Sequence, residues 1–298
     1  MVRLGKLRAK TIRYTLLLLS LAAIVSLNFV AAEMVDENIG KISITPLRNE
    51  IAIQPGSTYQ DKIKVTNGSG SNIRITMSVE EFGVLNEQYD YIFEEDADLA
   101  NWVNFSDSNI ELKPGQFKEI DYRIGVPISA EPGGRYVSLF ASSDIIENGA
   151  ITTRQRVGSL LYITVQGDVT RDGRLLSLSS PWLVLDNSDW SVNIQNTGTT
   201  HFRSEYSVSV RDIFDNQINY SSNDKLILPS TIRLVAGKFS LPIWPGIYKI
   251  VYAVSLGDKP SYKNTIYFIY LPFWSWGLSG LIVVYRVLIK KRKMIKKL

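Results

Sequence analysis

The chain lacks cysteine entirely and has one histidine, His201, among its 298 residues. Without cysteine there are no disulfide bonds, so the fold must be held together by its hydrophobic cores. The same absence excludes a thiol nucleophile of the kind that sortase-type and papain-like enzymes use. A single histidine without cysteine partners does not complete a usual zinc ligand set. We therefore predict no metal site and no cofactor.

Motifs of the common hydrolases and nucleotide-binding enzymes are also missing. The sequence contains no G-x-S-x-G, no H-E-x-x-H and no glycine-rich phosphate loop. Residues 222–225 match S-x-x-K, but the S-D-N and K-T-G motifs that accompany it in penicillin-binding proteins are absent, so we interpret the match as chance. A minor alternative is an enzyme that uses carboxylates alone, which needs two acids in one cleft. We predict a protein without catalytic residues.

Acidic residues are missing from both ends of the chain. Residues 1–32 carry five basic side chains and residues 286–298 carry seven, and neither segment has an acid. The part between them holds the other 21 basic residues and all 29 acidic ones, a net charge of −8. A nucleic-acid-binding protein concentrates positive charge on its folded body. The charge distribution therefore excludes that class of function.

The amino end has the pattern of a signal peptide. A basic segment, 1–13, precedes an apolar run of 17 residues, 14–30, and Val30 and Ala32 occupy the −3 and −1 positions of a small-residue cleavage site. We predict a signal peptide at 1–32, cleaved after Ala32. The alternative is an uncleaved anchor, because the apolar run is barely long enough to cross a bilayer.

A second apolar run, residues 266–289, lies near the carboxyl end. Its 24 residues can cross a hydrocarbon core of ~30 Å at ~1.5 Å per residue. A basic tail, 290–298, follows it and favours the cytoplasmic side. We predict a transmembrane helix at 266–289 and a single-pass protein of the cell membrane whose body is extracytoplasmic. The predicted membrane-interface anchors are Trp274, Trp276, Arg286, Lys290 and Lys291.

Between these ends the sequence alternates apolar and polar residues, which is typical of half-buried antiparallel strands. Four Pro-Gly pairs punctuate the strands, as proline and glycine do in β-turns. No long amphipathic pattern of helical period occurs from 33 to 265. The body is therefore predicted to be all-β.

The body also contains an internal repeat. KIKVTNGSGSNIRITMSV (62–79) aligns with SVNIQNTGTTHFRSEYSV (191–208), which places Asn67 on Asn196 and Asn72 on His201. Each copy reads as a β-hairpin with a turn that opens at asparagine. We predict two tandem immunoglobulin-like antiparallel β-sandwiches, at 40–168 and 169–264. Because the sister position is asparagine, His201 is interpreted as a structural or solvated residue.

Aromatic side chains supply the candidate binding residues. Tyr89, Tyr91 and Trp102 lie among acidic residues in the segment 86–102, where aromatic rings can stack on sugars. Packing on a strand face is the competing interpretation of the same spacing. Trp244 precedes a Pro-Gly turn, where it can serve as an interface anchor or lie buried.

The acidic residues of the same segment raise the question of a calcium site. Asp96 and Asp98 could supply hard oxygen ligands for Ca²⁺. The spacing of an EF-hand is absent, so a solvated acidic loop is the favoured interpretation.

Several stretches resemble the WxL-interacting protein family of bacterial cell surfaces. In residues 102–142 these are an initial tryptophan, an LKPG turn, a VP pair and a PGG followed by tyrosine, and residues 157–180 resemble the link into that family's second domain. The resemblance implies a first domain that binds peptidoglycan, a second that engages a surface protein, and a helix that fixes both to the membrane. No short binding motif transfers to individual residues.

From these observations we predict a non-catalytic, membrane-anchored scaffold. Its partners are expected to be cell-wall polymer (peptidoglycan), a partner surface protein, or both. The alternative is a chaperone-like or structural subunit of a surface assembly that uses β-strand addition. A long unpaired strand edge rich in apolar residues would favour that alternative.

Overall fold

The computed structural model describes residues 42–95, 98–147, 151–277, 285–287 and 289. All of them belong to one compact unit, Gly40–Leu298. The predicted signal peptide and the basic tail, with Lys290 and Lys291, lie outside the described residues.

The amino-terminal half of the described chain forms two facing sheets. Its strands are β1 (Ile42–Thr45), β2 (Arg48–Ile53), β3 (Thr58–Asn67), β4 (Ile73–Val84), β5 (Tyr91–Glu94), β6 (Val103–Phe105), β7 (Asn109–Leu112), β8 (Phe117–Gly125), β9 (Gly133–Glu147) and β10 (Ile151–Val165). One sheet has the order β1-β3-β8-β6, and the other β2-β10-β9-β4-β5, with β7 also paired to β4. A short 3-10 helix, Asp98–Trp102, precedes β6.

The carboxyl-terminal half forms a second pair of sheets. Its strands are β11 (Gly173–Ser179), β12 (Leu183–Val184), β13 (Asp189–Asn196), β14 (Phe202–Asp212), β15 (Gln217–Ile227), β16 (Ile232–Lys238), β17 (Gly246–Leu256) and β18 (Lys259–Tyr270). The orders are β11-β13-β16 and β12-β18-β17-β14-β15.

Both halves follow the same strand order. In each, the opening strand borders the next long strand in one sheet, and a short strand then crosses to the other sheet. There it runs parallel to the last strand, β2 along β10 and β12 along β18. This order is that of an immunoglobulin-like sandwich with a switched first strand. The prediction of an all-β body built from sandwiches is confirmed.

The alternation of the sequence accounts for the two cores. Ile63 and Val65 on β3 are buried in the first core, as Val192 and Ile194 on β13 are in the second. These are the residue pairs that the sequence alignment superposes. Since successive side chains of a strand point to opposite faces, the polar residues between them face outward. The internal repeat is thus confirmed at the level of side-chain burial.

The predicted hairpin within each repeat is wrong. β3 pairs with β1 and β8, whereas β4 pairs with β5, β7 and β9, so the connection at 68–72 crosses from one sheet to the other. The connection at 197–201 does the same between β13 and β14. Alternating patterns on both sides of a turn do not distinguish a hairpin from a crossing, because both place one strand face in the core.

A buried asparagine holds each crossing connection. The side-chain amide of Asn67 donates to the carbonyls of Ser71 and Leu112, and its oxygen accepts from the Ser69 amide. Asn196 is the counterpart in the second sandwich, with the carbonyls of Thr200 and Ile227 as acceptors and the Gly198 amide as donor. Both asparagines are fully buried. Each therefore satisfies three backbone groups, all of them buried around Asn196 and two of them buried around Asn67.

The start of the predicted transmembrane helix is wrong. Residues 266–270 belong to β18, which pairs with β17 along most of its length. Phe268 and Tyr270 point into the second core and are buried, whereas Tyr267 is exposed. An alternating strand made of large apolar residues has the same mean hydropathy as a spanning helix, which explains the error. The second sandwich therefore extends beyond the predicted boundary at 264.

The residues after β18 are described only in part. Residues 273–277 are helical, as are 285–287 and 289. Within the described part of the chain, no helix combines the length and the apolar character that a membrane crossing requires.

Candidate binding surfaces

An aromatic face on the first sandwich meets the second sandwich. Phe82 on β4, Tyr136 on β9 and Tyr162 on β10 point away from the first core, on the outer face of their sheet, yet all three are buried. Their rings pack at centroid distances of 5.3 to 5.8 Å. They belong to the same apolar cluster as the second core. The two sandwiches are therefore joined by a continuous packed junction.

Tyr89 is a central contact of this junction. Its hydroxyl accepts a hydrogen bond from the Leu228 amide at 2.8 Å and shares another with the Thr231 hydroxyl at 2.7 Å. The Arg233 guanidinium lies 4.0 Å from the ring centroid. Tyr89 also has a backbone φ of 70°, a left-handed conformation that tyrosine rarely adopts. A sugar-stacking role for this ring is inconsistent with its burial.

His201 lies on the other side of the junction. Its Nδ1 is 3.3 Å from the Tyr136 hydroxyl, and its ring packs against the rings of Tyr136 and Tyr162. The pKa of His201 is lowered to about 4, chiefly by burial; Glu50 opposes this shift, and Arg171 and Arg203 add to it. The imidazole is therefore neutral at neutral pH. Its role is packing between the sandwiches, and the solvated alternative is excluded.

A shallow polar cleft borders His201. It has a volume of about 360 Å³, and its charged lining residues are Glu50, Arg171, Arg203 and Asp258. Arg203 forms ion pairs with Glu50 of the first sandwich and Asp224 of the second. Thr164 and Thr200 share a hydrogen bond of 3.1 Å across the same boundary. Arg203 is paired with a carboxylate from each sandwich, so these contacts reinforce the junction.

Part of one edge of β10, in the first sandwich, has no strand partner among the described residues. β2 pairs with β10 only from Leu160 to Val165. The Leu160 amide donates to the Leu47 carbonyl on this side, and the pairing of β10 with β9 on the other side runs from Ile151 to Val165 without a register shift. By alternation, the amides of Gly158, Arg156 and Arg154 face the same edge as Leu160. Among the described residues no strand pairs with this part of β10.

The surroundings of this edge are fixed by side chains. The Arg156 guanidinium lies 3.4 Å from the centroid of the Phe140 ring and forms an ion pair with Glu80, which is buried. The Ser159 hydroxyl donates to the Pro46 carbonyl at 2.6 Å, and the Ile42 amide donates to the Gln155 side chain. β10 is thereby held as a regular strand even where β2 does not accompany it. The edge is unpaired among the described strands but not rich in apolar residues, so it meets only the first half of the expectation stated for strand addition.

The other predicted site residues are dispersed. Tyr91 is half-buried and its hydroxyl is 3.3 Å from that of Tyr162, so it borders the junction. Trp102 packs against the first core. Trp244 is 68% exposed, and its ring contacts that of Trp274 at 6.0 Å. The structure thus brings Tyr89 and Tyr91 together at the junction and places Trp102 and Trp244 away from it.

Three of the predicted membrane anchors and one of the two candidate calcium ligands lie within the described residues. Trp274, Trp276 and Arg286 are exposed. Asp98 opens the 3-10 helix, and Asp96 lies outside the described residues. Within the described ranges, no three carboxylate or histidine side chains come together as metal ligands would. The sequence predicts neither the junction nor the unpaired edge. The only sequence signal for the junction is that apolar residues such as Phe82 occupy the strand face opposite to the one that packs in the first core.

No family model and no curated protein matches the chain. Among solved structures, the class 5 fimbriae chaperone CfaA is 11% identical with a TM-score of 0.41 over 78% of this chain and 100% of that one. A chain of the Salmonella enterica complex of the SafA pilin with the SafB chaperone is 10% identical with a TM-score of 0.41, over 78% and 97%. These scores are too low to carry an argument, so the fold assignment rests on the strand order of this chain.

Proposed function

We propose that the protein is a non-catalytic, membrane-anchored surface protein that holds an extended segment of a partner protein by β-strand addition. The observation that supports this proposal most strongly is the edge of β10 from Ile151 to Gly158, with which no strand of the described residues pairs. In strand addition, backbone hydrogen bonds supply affinity, and pockets for alternate side chains supply specificity. This function is the chaperone-like alternative stated in the sequence analysis, and it takes the place of binding to cell-wall polymer.

A strand edge that no other strand of the described residues pairs with requires a physical explanation. Soluble proteins cover, shorten or distort such edges because unpaired amides and carbonyls invite pairing with another chain. In this protein β10 pairs with β9 without a bulge along its whole length, and the Arg156 ion pair with Glu80 stiffens it. A partner strand added here would extend a sheet that is already ordered.

Binding of peptidoglycan is less well supported by the geometry. Stacking on sugar rings needs exposed aromatic faces, whereas Tyr89 is buried in the junction and Trp102 packs on the first core. Tyr91 is half-buried beside the junction, and Trp244 is at the far end of the second sandwich. The proposed placement at the cell surface rests on the predicted signal peptide and the apolar carboxyl run of the sequence, and the family resemblance agrees with it.

The proposal is tested by photo-crosslinking on cells. A photoreactive phenylalanine analogue at Thr152 of the full chain should give a discrete adduct with a partner protein, because this position lies on the free edge. Arg154→Pro should reduce the adduct at least several-fold, since proline removes the edge-facing amide and adds bulk there.

Arg154→Ala is the matched control for this variant. It removes the side chain and keeps the backbone amide, so the adduct should persist. Loss of the adduct in both variants would assign binding to the arginine side chain instead of the strand edge. An adduct that survives Arg154→Pro unchanged would rule out strand addition at β10.

A further inference from the structure

One end of the second sandwich, where β17 begins and β18 ends, exposes a group of apolar residues. Gly246 is paired to Tyr270 at this end, and β12 joins the two strands with Val184 beside Tyr270. The loop 239–245 and the short helix 273–277 extend from the same strands. Three segments distant in sequence, 180–185, 239–248 and 265–277, thus meet on one surface, which we call the basal patch.

The basal patch exposes several large apolar side chains next to one another. Its most exposed members are Ile243 at 78%, Trp182 at 70%, Trp244 at 68%, Tyr267 at 62% and Phe273 at 60%. An exposed row formed by Leu183, Ile269 and Ile247 continues it across three adjacent strands. Contiguous apolar surface of this kind marks an interface with a protein or a membrane.

None of the three segments contains a charged residue. The exposed Asp186 directly follows the segment 180–185 in sequence, and further carboxylates lie in the β14–β15 turn, which occupies the same end. There Asp215 is paired with Lys249 at 3.0 Å and Arg211 at 3.2 Å, and Asp212 accepts the amides of Phe214 and Asn216. The two cations therefore compensate the charge of Asp215 locally. Phe214 and Ile213, at the tip of this turn, are exposed apolar residues as well.

We propose that the basal patch lies in the interface of the lipid bilayer, so that the second sandwich itself docks on the membrane. The chain leaves the patch at Gly277 and continues as the uncharged sequence 278–285, followed by the basic residues of 286–298. Tryptophan is enriched at the level of the lipid headgroups, where its ring is amphipathic. The inference rests on the proposed membrane anchoring and adds a fixed orientation to it.

The continuity of the patch with the chain's exit favours the bilayer over a second copy of the protein. Trp244 of the 239–245 loop contacts Trp274 of the exit segment, so the loop lies at the depth of the residues that precede the apolar run. A dimer interface in the same place would have to form at the headgroup level. Docking would direct the opposite end of the second sandwich, and the first sandwich above it, away from the membrane.

The test uses the full chain reconstituted in phosphatidylcholine–phosphatidylglycerol vesicles. Because the chain has no cysteine, Ile243→Cys accepts a single nitroxide label, and the collision rates of the label with oxygen and with a water-soluble nickel complex report its depth. Ile128→Cys is the matched control, since Ile128 is an exposed isoleucine of the first sandwich. The oxygen-to-nickel ratio should be several-fold higher at position 243 than at position 128.

The outcomes separate the inference from the anchoring on which it rests. If the chain floats with the vesicles in high salt and the two labels give equal ratios, docking is wrong while anchoring holds. If the chain does not float, both are wrong. Spin–spin broadening at position 243 that disappears on dilution with unlabelled chain would assign the patch to a second copy and also overturn the inference.

Discussion

Asn196→Ala should lower the free energy of unfolding by about 3 kcal/mol. The substitution leaves the carbonyls of Thr200 and Ile227 and the amide of Gly198 without their hydrogen-bond partner in a fully buried place. A buried polar group without a partner costs about 1–3 kcal/mol, and partial entry of water relieves some of this. Chemical denaturation of the full chain in a mild detergent measures the change.

Asn67→Ala should give a loss of similar size, because Asn67 makes the same set of contacts in the first sandwich. Asn223→Ala is the control: its side chain is exposed on β15, and surface substitutions change stability by about 0.5 kcal/mol or less. A loss at position 196 as small as that at position 223 would show that the asparagine does not hold the crossing connection.

Acidification should weaken the junction through His201. The folded-state pKa of His201 is lowered to about 4 by burial, whereas an unfolded histidine has its ordinary pKa of 6.5. Between these values the unfolded state binds more protons, so stability falls as the pH is lowered. One pKa unit corresponds to about 1.4 kcal/mol, so the loss from His201 between pH 7.5 and 4.5 should be about 3 kcal/mol.

The comparison of wild type with His201→Gln isolates this contribution. The two proteins share all their other titratable groups, so the difference between their pH profiles reports on the imidazole. The variant should lose about 3 kcal/mol less than the wild type over the same pH interval, as measured by denaturant unfolding. Parallel pH profiles for the two proteins would mean that the imidazole is accessible to protons in the folded state.

The repeat and the strand content follow from local rules, which is why the sequence predicts them. Ile63 and Val65 alternate with polar residues just as Val192 and Ile194 do, and each pair precedes an asparagine. The period of a strand is enough to identify the buried face. The asparagines stand out in the alignment, although only the structure shows that they bridge two sheets.

The junction and the strand edge depend on contacts between distant residues, so no local pattern predicts them. Tyr89 and Leu228 are far apart in sequence, and the burial of Tyr136 and Tyr162 comes from a second sandwich that packs on their face. The same limit explains the error at 266–270. There hydropathy describes how apolar a segment is, whereas pairing with β17 decides that the segment is a strand.

Hydrogen exchange of the β10 amides tests the proposed strand addition most directly. The full chain is compared alone and in the assembly that is captured by crosslinking from position 152. The account predicts that the amides of Arg156 and Gly158 exchange much more slowly in the assembly, while those of β15 are unchanged. Capture of a partner with unchanged exchange at Arg156 and Gly158 would contradict it, since the partner would then be bound without backbone pairing.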